Sequence, residues 1–243
     1  LPPLPKERAW AVIVPHAGYV YSGRVAGAVY ARVEIPREVV LLCFNHRGSG
    51  EEFAVWREGS WQTPLGSVPV DEGLAVAIRE SFPAAEFDEA GHEGEHSGEV
   101  QLPYLQRLRP DVRIAPVALS VGLESRGFEQ LRGFGRALAG LDREFLVVAS
   151  TDLNHYEDQA STLEKDGAAI GAIERLDEEA LREAIVSRDI SMCGYAPVIA
   201  AIAYARARGA ARARTVMHAT SGDVSGDYDR VVGYVGLIIP CGN

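Results

Sequence analysis

Short apolar runs rich in β-branched residues recur along the chain, and their length constrains what it can fold into. Ala9 to Val14 reads AWAVIV and stops at Pro15, and Val39 to Phe44 reads VVLLCF. Similar runs return at Val112 to Leu119, Phe145 to Ala149, Thr215 to Ala219 and Val231 to Ile239. These runs are too short for buried helices and are near-continuously apolar, the pattern of strands buried on both faces. Segments with helical spacing lie between them, at Ser22 to Val33, Glu72 to Phe82, Glu129 to Leu138, Ser161 to Ile185 and Ala196 to Arg208. Buried strands alternating with helices predict an α/β fold, a mostly parallel central sheet flanked by helices. Glu52 to Val70 is the exception, since Trp56, Trp61 and Pro64-Leu65-Gly66 predict a small hairpin attached to a sheet edge. No repeat, low-complexity tract or linker interrupts the 243 residues, so a single domain over 1–243 is expected.

The chain carries 24 Lys plus Arg against 34 Asp plus Glu, a formal net charge of -10. A nucleic-acid binder needs a basic surface to neutralise phosphates, so this balance argues for no nucleic-acid partner. No apolar run approaches the roughly 20 residues that span a bilayer, and no membrane partner is expected. The opening Leu1-Pro2-Pro3-Leu4-Pro5 lacks the basic-then-apolar order of a signal peptide. Three cysteines, none at C-x-x-C spacing, form no closed disulfide framework. A cytoplasmic protein is the expectation. The chain starts at Leu1 rather than at methionine, so residues upstream of it are expected.

In open α/β sheets, ligands bind beyond the carboxyl ends of the strands. His16 follows the first apolar run, His46 follows the second, and His155 ends the loop Ser150-Thr151-Asp152-Leu153-Asn154-His155. His92 and His96 share the loop Gly91 to Ser97, and His218 lies at the end of the Thr215 run. At least three histidines therefore meet at the edge where sites form. Any one alone is most simply structural; together they suggest a shared site. Two imidazoles and an anionic third ligand suffice to hold iron, copper or zinc with positions open for substrate. Candidate third ligands are Asp152, Glu95, Glu99 and the thiolate of Cys193. Cys193 precedes a predicted helix whose N-terminus would lower its pKa, although a small buried hydrophobe is the simpler role for a lone cysteine. Cys43 and Cys241 read as structural. The turn-rich Ser221 to Asp227 reads as a surface loop rather than a phosphate cradle, and neither a P-loop nor a strand-linked G-x-G-x-x-G is present. Ser150, Asp152 and His155 are the residue types of a hydrolytic triad, but they crowd into one loop without a nucleophile elbow.

Six ordered blocks carry a resemblance. They are Pro15-His16-Ala17-Gly18-Tyr19 with Tyr21-Ser22-Gly23, Asn45-His46, Glu95-His96-Ser97 with Glu99-Val100-Gln101-Leu102-Pro103-Tyr104, Ser150 to Tyr156, Cys193-Gly194, and Ala219-Thr220-Ser221-Gly222-Asp223-Val224. On them the sequence resembles, nearly end to end, the Memo family of the AmmeMemoRadiSam group, itself similar in fold to LigB-type extradiol dioxygenases. The resemblance implies a one-domain α/β fold with a metal-sized pocket. It implies His16, His46 and Cys193 as metal ligands and His155, with Asp152, as the catalytic proton-handling residues. Asp152 and the Glu95-His96 pair would orient imidazoles by hydrogen bonds, and Tyr19, Asn45 and Glu99 would belong to the pocket. Iron(II) is the first expected ion, with copper or zinc next, and the implied chemistry is of dioxygenase type. A second expectation is a metal-holding or redox-regulatory protein that acts with radical-SAM and AMMECR-like partners. A third is a metal-free hydrolase or transferase using Cys193 and His155. Two departures stand out. Cys43-Phe44-Asn45-His46 replaces the family's Gly-Pro-Asn-His, which would reshape the pocket wall. The family's N-terminal Gly-x-Phe-Tyr-Pro element has no counterpart from Leu1 onward, so part of that wall is expected to be missing.

Overall fold

The AWAVIV run becomes the first strand, β1 (Ala9–Val14), and the chain turns at Gly18 into α1 (Tyr19–Tyr30). The computed structural model describes residues 5–242, so Leu1 to Leu4 of the opening read above for a leader lie outside the described residues. The VVLLCF run forms β2 (Glu38–Phe44), and a short strand β3 (Phe53–Val55) follows. The expected hairpin is β4 (Ser60–Thr63) with β5 (Gly66–Pro69); Gly66 takes the positive φ of 116° that its turn requires. Asp71 accepts the Leu74 N–H at 2.9 Å and so starts α2 (Glu72–Ser81), which leads to β6 (Glu86–Phe87). Two 3-10 turns at Ala90–His92 and Glu99–Gln101 precede α3 (Leu102–Leu108). Then come β7 (Arg113–Leu119), α4 (Ser125–Ala139), β8 (Leu146–Ser150) and β9 (His155–Glu157).

The segment Ser161 to Ile185, expected as one helix, is two: α5 (Gln159–Glu174) and α6 (Glu178–Ser187). Leu176 leaves the helix with a φ of 53° to bury its side chain, and Asp177 restarts it by accepting the Ala180 N–H at 3.0 Å. The sequence Asp177-Glu178-Glu179 is a helix-start signal that alanine-rich periodicity concealed. The chain ends with α7 (Tyr195–Ala207), β10 (Arg214–Thr220), the single turn α8 (Gly222–Ser225) and β11 (Val231–Pro240). The Ser221 to Asp227 stretch is thus a short turn, as expected.

The main sheet has the order β10-β11-β1-β8-β2-β7-β3-β6, with β9 pairing beside β11. Its centre, β1-β8-β2-β7, is parallel, as the doubly buried apolar runs require. Toward the edges the sheet is mixed. β11 runs antiparallel to β1 and to β10, and β3 runs antiparallel to β7. Short connections allow antiparallel pairing, whereas each parallel step needs a long crossover. Alternate residues of the central strands face opposite layers. Ala11, Ile13, Val40 and Leu42 pack with the buried faces of α2, α4 and α7, while Val12, Val14, Val39 and Leu41 pack with α1 and α3. The result is a helix–sheet–helix sandwich in one domain, with β1, β8 and β2 side by side so that their carboxyl ends converge.

α7 is buried nearly all round, wedged between the sheet and α4. Gly135 on α4 makes this approach possible, because a Cβ there would collide with the Ala200 carbonyl and come within 2.7 Å of Ala203 Cβ. Gly135→Ala is expected to lower stability by about 1–3 kcal/mol through this overpacking. Gly167→Ala, in the exposed part of α5 with open space around it, is expected to raise stability by about 0.5–1 kcal/mol through helix propensity. Urea denaturation midpoints at unchanged slope read both, and a shift of the same sign in the two variants would contradict the packing account.

Candidate metal centre

Three strand ends supply the polar groups. Two residues past β1 stands His16, two past β2 stands His46, and two past β8 stands Asp152. Backbone bonds hold these ends in register, with the Thr151 N–H donating to the Val14 carbonyl at 2.9 Å. Cys193 comes from the loop before α7. Gly194 lets that loop approach β8, since a Cβ there would collide with the Ser150 carbonyl and lie 2.6 Å from Thr151 Cβ. Its N–H donates to Thr151 Oγ1 at 3.0 Å. His155 opens β9 and is carried over the site by the pairing of that strand with β11. Together His16, His46, His96, Asp152, His155 and Cys193 line a cavity of about 550 Å³, closed on one side by Tyr156, Val232 and Tyr234.

Hydrogen bonds decide which nitrogen of each imidazole faces the cavity. The buried Ser150 hydroxyl lies 2.7 Å from the Ser97 carbonyl, which can only accept, so its one proton goes there. It then accepts from Gln101 Nε2 at 3.2 Å and from His16 Nδ1 at 2.9 Å. His16 therefore carries its proton on Nδ1 and keeps the Nε2 lone pair, which sits 3.3 Å from Cys193 Sγ. His46 repeats the logic: Nδ1 lies 3.0 Å from both oxygens of Glu95, a carboxylate that accepts, and Nε2 is left bare. His155 Nδ1 donates to the Ser191 carbonyl at 2.8 Å and also retains a free Nε2.

The donor atoms fit a metal ion. His16, His46 and Cys193 can each offer one ligand atom with all three within 4.8 Å of one another. Metal–nitrogen and metal–sulfur bonds of the usual lengths place adjacent ligand atoms roughly 3.1–3.6 Å apart at octahedral to tetrahedral angles, and the His16–Cys193 spacing of 3.3 Å falls in that span. His46, Glu95 and His96 form a second group within the same limit. There Glu95 already accepts from the His46 N–H at 2.8 Å and the Ser97 N–H at 2.7 Å, so it serves as an anchor for the loop.

Burial sets the charges. It drives the pKa of His16 down to about 3, with help from the neighbouring His46 and His96 rings, so the ring is neutral and ready to ligate. Burial works against the Glu95 carboxylate, yet hydrogen bonds from His46 and Ser97 hold it well below the usual carboxylate range. Burial raises Asp152, which accepts the His16 N–H at 2.9 Å. The Cys193 thiol is pushed up to about 12 by burial and by the charge of Asp152. This reverses the expectation that the helix N-terminus would lower it. The first residue of α7 is Tyr195, and the partial charge there is outweighed by the burial of the sulfur and the neighbouring carboxylate. A bound cation inverts that balance, since a coordinating thiol is deprotonated outright.

Three expected pocket residues lie elsewhere. Tyr19 is half-exposed and donates from its hydroxyl to the Val100 carbonyl at 3.0 Å. Asn45 spends its side chain on the adjacent turn, accepting the Gly48 N–H at 2.9 Å and donating to the Ser49 carbonyl at 2.6 Å. Glu99 lines a neighbouring cleft with Trp56 and Trp61. His92 is buried behind those indoles, and His218 pairs with Asp166 at 2.8 Å. Ser150, Gln101 and Ser191, which fix the imidazoles, carried no signal of that role beyond their nearness to the strand ends and to Cys193.

A family model described as Memo-like protein matches residues 1–238. Proteins named as MEMO1 family members resemble the chain along most of its length. One from Thermotoga neapolitana is 45% identical over 94% of this chain and 82% of its own. One from Aquifex aeolicus is 41% identical over 97% and 88%, and one from Ignicoccus hospitalis 40% over 98% and 85%. A crystal structure of an uncharacterized Escherichia coli K12 protein shares the fold, with a TM-score of 0.59 at 15% identity over 94% of this chain and 100% of that one.

The depressed pKa of His16 makes stability depend on pH. The unfolded chain takes up a proton near the ordinary histidine value and the native site only near 3, so stability falls as pH drops through about 6.5 and keeps falling toward about 3. Between pH 7 and pH 5 the metal-free protein is expected to lose about 2 kcal/mol from this residue. The raised pKa of Asp152 acts with the opposite sign, so the informative quantity is the difference between wild type and His16→Gln in urea denaturation. Equal pH slopes in the two proteins would show that His16 is not held neutral.

Proposed function

The chain belongs to the Memo-like protein family, and from that premise we propose that it holds one metal ion, iron(II) in the first place and copper or zinc next, through His16 Nε2, His46 Nε2 and Cys193 Sγ. The observation that supports this reading is the His16 ring locked with its Nε2 lone pair toward the Cys193 thiol, with a ligand atom of His46 within 4.8 Å of both. When bound, such an ion would supply Lewis-acid polarisation and redox chemistry, with positions open for substrate. The surrounding residues serve an oxygenated substrate. His155, whose Nε2 is free because Nδ1 is bound to Ser191, accepts or returns a proton at a substrate hydroxyl. Asp152, with one oxygen 3.9 Å from His16 Nε2, lies beside the ligand set and ties down the His16 backbone. Tyr156, Val232 and Tyr234 line the same cavity and would contact the substrate. The reaction class is an oxidoreductase of dioxygenase type.

A second reading follows from the sulfur donor. A thiolate where ring-cleaving enzymes place a carboxylate changes the electron density at the ion. That favours a redox-regulatory metal holder, for which the family grouping suggests radical-SAM and AMMECR-like partners. Metal-free thiol catalysis is not proposed, because the Cys193 thiol is held far from its ionised form and its imidazole neighbour is His16 rather than His155.

Metal analysis after purification under low oxygen tests the site. Wild type is expected to retain about one equivalent of iron, copper or zinc and His16→Ala and Cys193→Ala close to none. Wild type without metal, or Cys193→Ala with as much as wild type, would sink the proposal. His155→Ala is expected to keep the metal and lose about 10²–10⁴-fold in turnover on a panel of catechols supplied with ferrous iron. A flat response of wild type across that panel would move the assignment to the redox-regulatory reading.

A further inference from the structure

A second cleft of about 440 Å³ opens beside the first cavity, and the two share the His96 ring. Its wall is aromatic. Trp56 and Trp61 meet edge to face with centroids 5.5 Å apart, and His92 stands 5.6 and 5.7 Å from the two indoles. Indole faces attract cations through the negative density above the ring. The rim carries the exposed carboxylate of Glu99 and the buried one of Glu95, and no Lys or Arg lines the cleft. Arg47 donates to the Gly94 carbonyl at 3.1 Å from outside that lining.

His92 adds a buried polar atom without a partner to this wall. It is 6% exposed, and its Nε2 lies 2.9 Å from the Ala54 carbonyl oxygen. A carbonyl only accepts, so Nε2 bears the proton and Nδ1 keeps a lone pair. That Nδ1 is buried without a partner, an arrangement that costs free energy until something donates to it. Burial lowers the basicity of His92, so the ring stays neutral and does not repel a cation. The Gln62 amide is already turned toward Ser60 Oγ and Ser67 Oγ at 3.3 and 3.2 Å. Trp61 Nε1 is a single unpaired N–H, too little to offset two carboxylates and two π-faces.

We infer that this cleft is the subsite for a protonated primary amine, carried on an organic substrate whose other end passes His96 into the His16–His46–Cys193 cavity. The amine preference stands on the cleft alone; the reach into the first cavity rests on the metal-site reading above. An ammonium lies against the indoles and is neutralised by Glu99, while the neutral His92 ring behind them adds no opposing charge. A carboxylate in the same place meets Glu99 and the π-faces with the wrong sign.

Metal-free protein titrated with hexylammonium chloride, hexanol or sodium hexanoate, followed by tryptophan fluorescence, separates these cases. Hexylammonium is expected to bind saturably and hexanoate not to bind. Glu99→Gln should weaken the ammonium complex about fivefold and Trp61→Ala at least as much; Glu99 is exposed, so its variant keeps the test independent of folding. Equal binding of hexanoate, or unchanged affinity in both variants, overturns the amine subsite whatever the metal content. His16→Ala should bind hexylammonium as wild type does, so failure of metal retention would leave this result standing. For the reach between cavities, iron-loaded protein is titrated with ω-amino alkyl hydroxamates of four to eight carbons and their amine-free counterparts. A gain of about fivefold at one length, lost in Glu99→Gln, is expected; equal affinity at every length overturns the connection.

Discussion

One buried hydroxyl ties the candidate centre together. Ser150 has a single proton and gives it to the Ser97 carbonyl, and both of its remaining contacts must then donate to it. That requirement places the His16 proton on Nδ1 and turns the ligating lone pair inward. The same network extends through Gln101, whose amide donates to the Pro15 carbonyl at 3.0 Å and whose oxygen accepts the Tyr30 hydroxyl at 3.1 Å. A strand end, a loop and the helix α1 are thereby joined through groups with no exposed surface to spare. Networks of this kind hold a ligand in place only while every member is satisfied.

The central strands were legible because burial on both faces writes itself as an unbroken apolar run: AWAVIV, VVLLCF and FLVVA fall within a residue of β1, β2 and β8. Strand direction at the edges was not legible, since a buried run carries no mark of parallel or antiparallel pairing, and β11 and β3 run against their neighbours. The division of the long helix at Leu176 was present in Asp177 and its two following glutamates, but periodicity drowned it. For the site, strand-end placement was enough to bring His16, His46, Asp152 and His155 together. Tyr19 and Asn45 stand beside those residues in the same motifs and yet face away, because adjacency in a turn does not determine where a side chain points.

The charge balance has two faces in this molecule. Within the candidate ligand set, burial holds the Cys193 thiol protonated and the His16 imidazole uncharged. The nearby carboxylates are anchors more than donors: Glu95 closes on its own loop and His46, and Asp152 on the backbone of His16. Beside this dry pocket, Glu99 faces solvent on an aromatic wall. A single ligand bridging both spaces would meet a cation-stabilising pocket at one end and a cation-accepting rim at the other.

Gly194 brings the segment that carries Cys193 against the end of β8, and the thiol so placed lies 177 positions along the chain from His16. During synthesis this distance sets an order of events. A growing polypeptide exposes both early histidines long before the cysteine exists, and two separated imidazoles hold a first-row ion only weakly. On the metal-site proposal, loading would wait until α7 has emerged and docked, by which time most of the chain has been made. On that proposal the centre would act as a completion mark, taking an ion only in the folded population and leaving truncated or half-made chains unloaded.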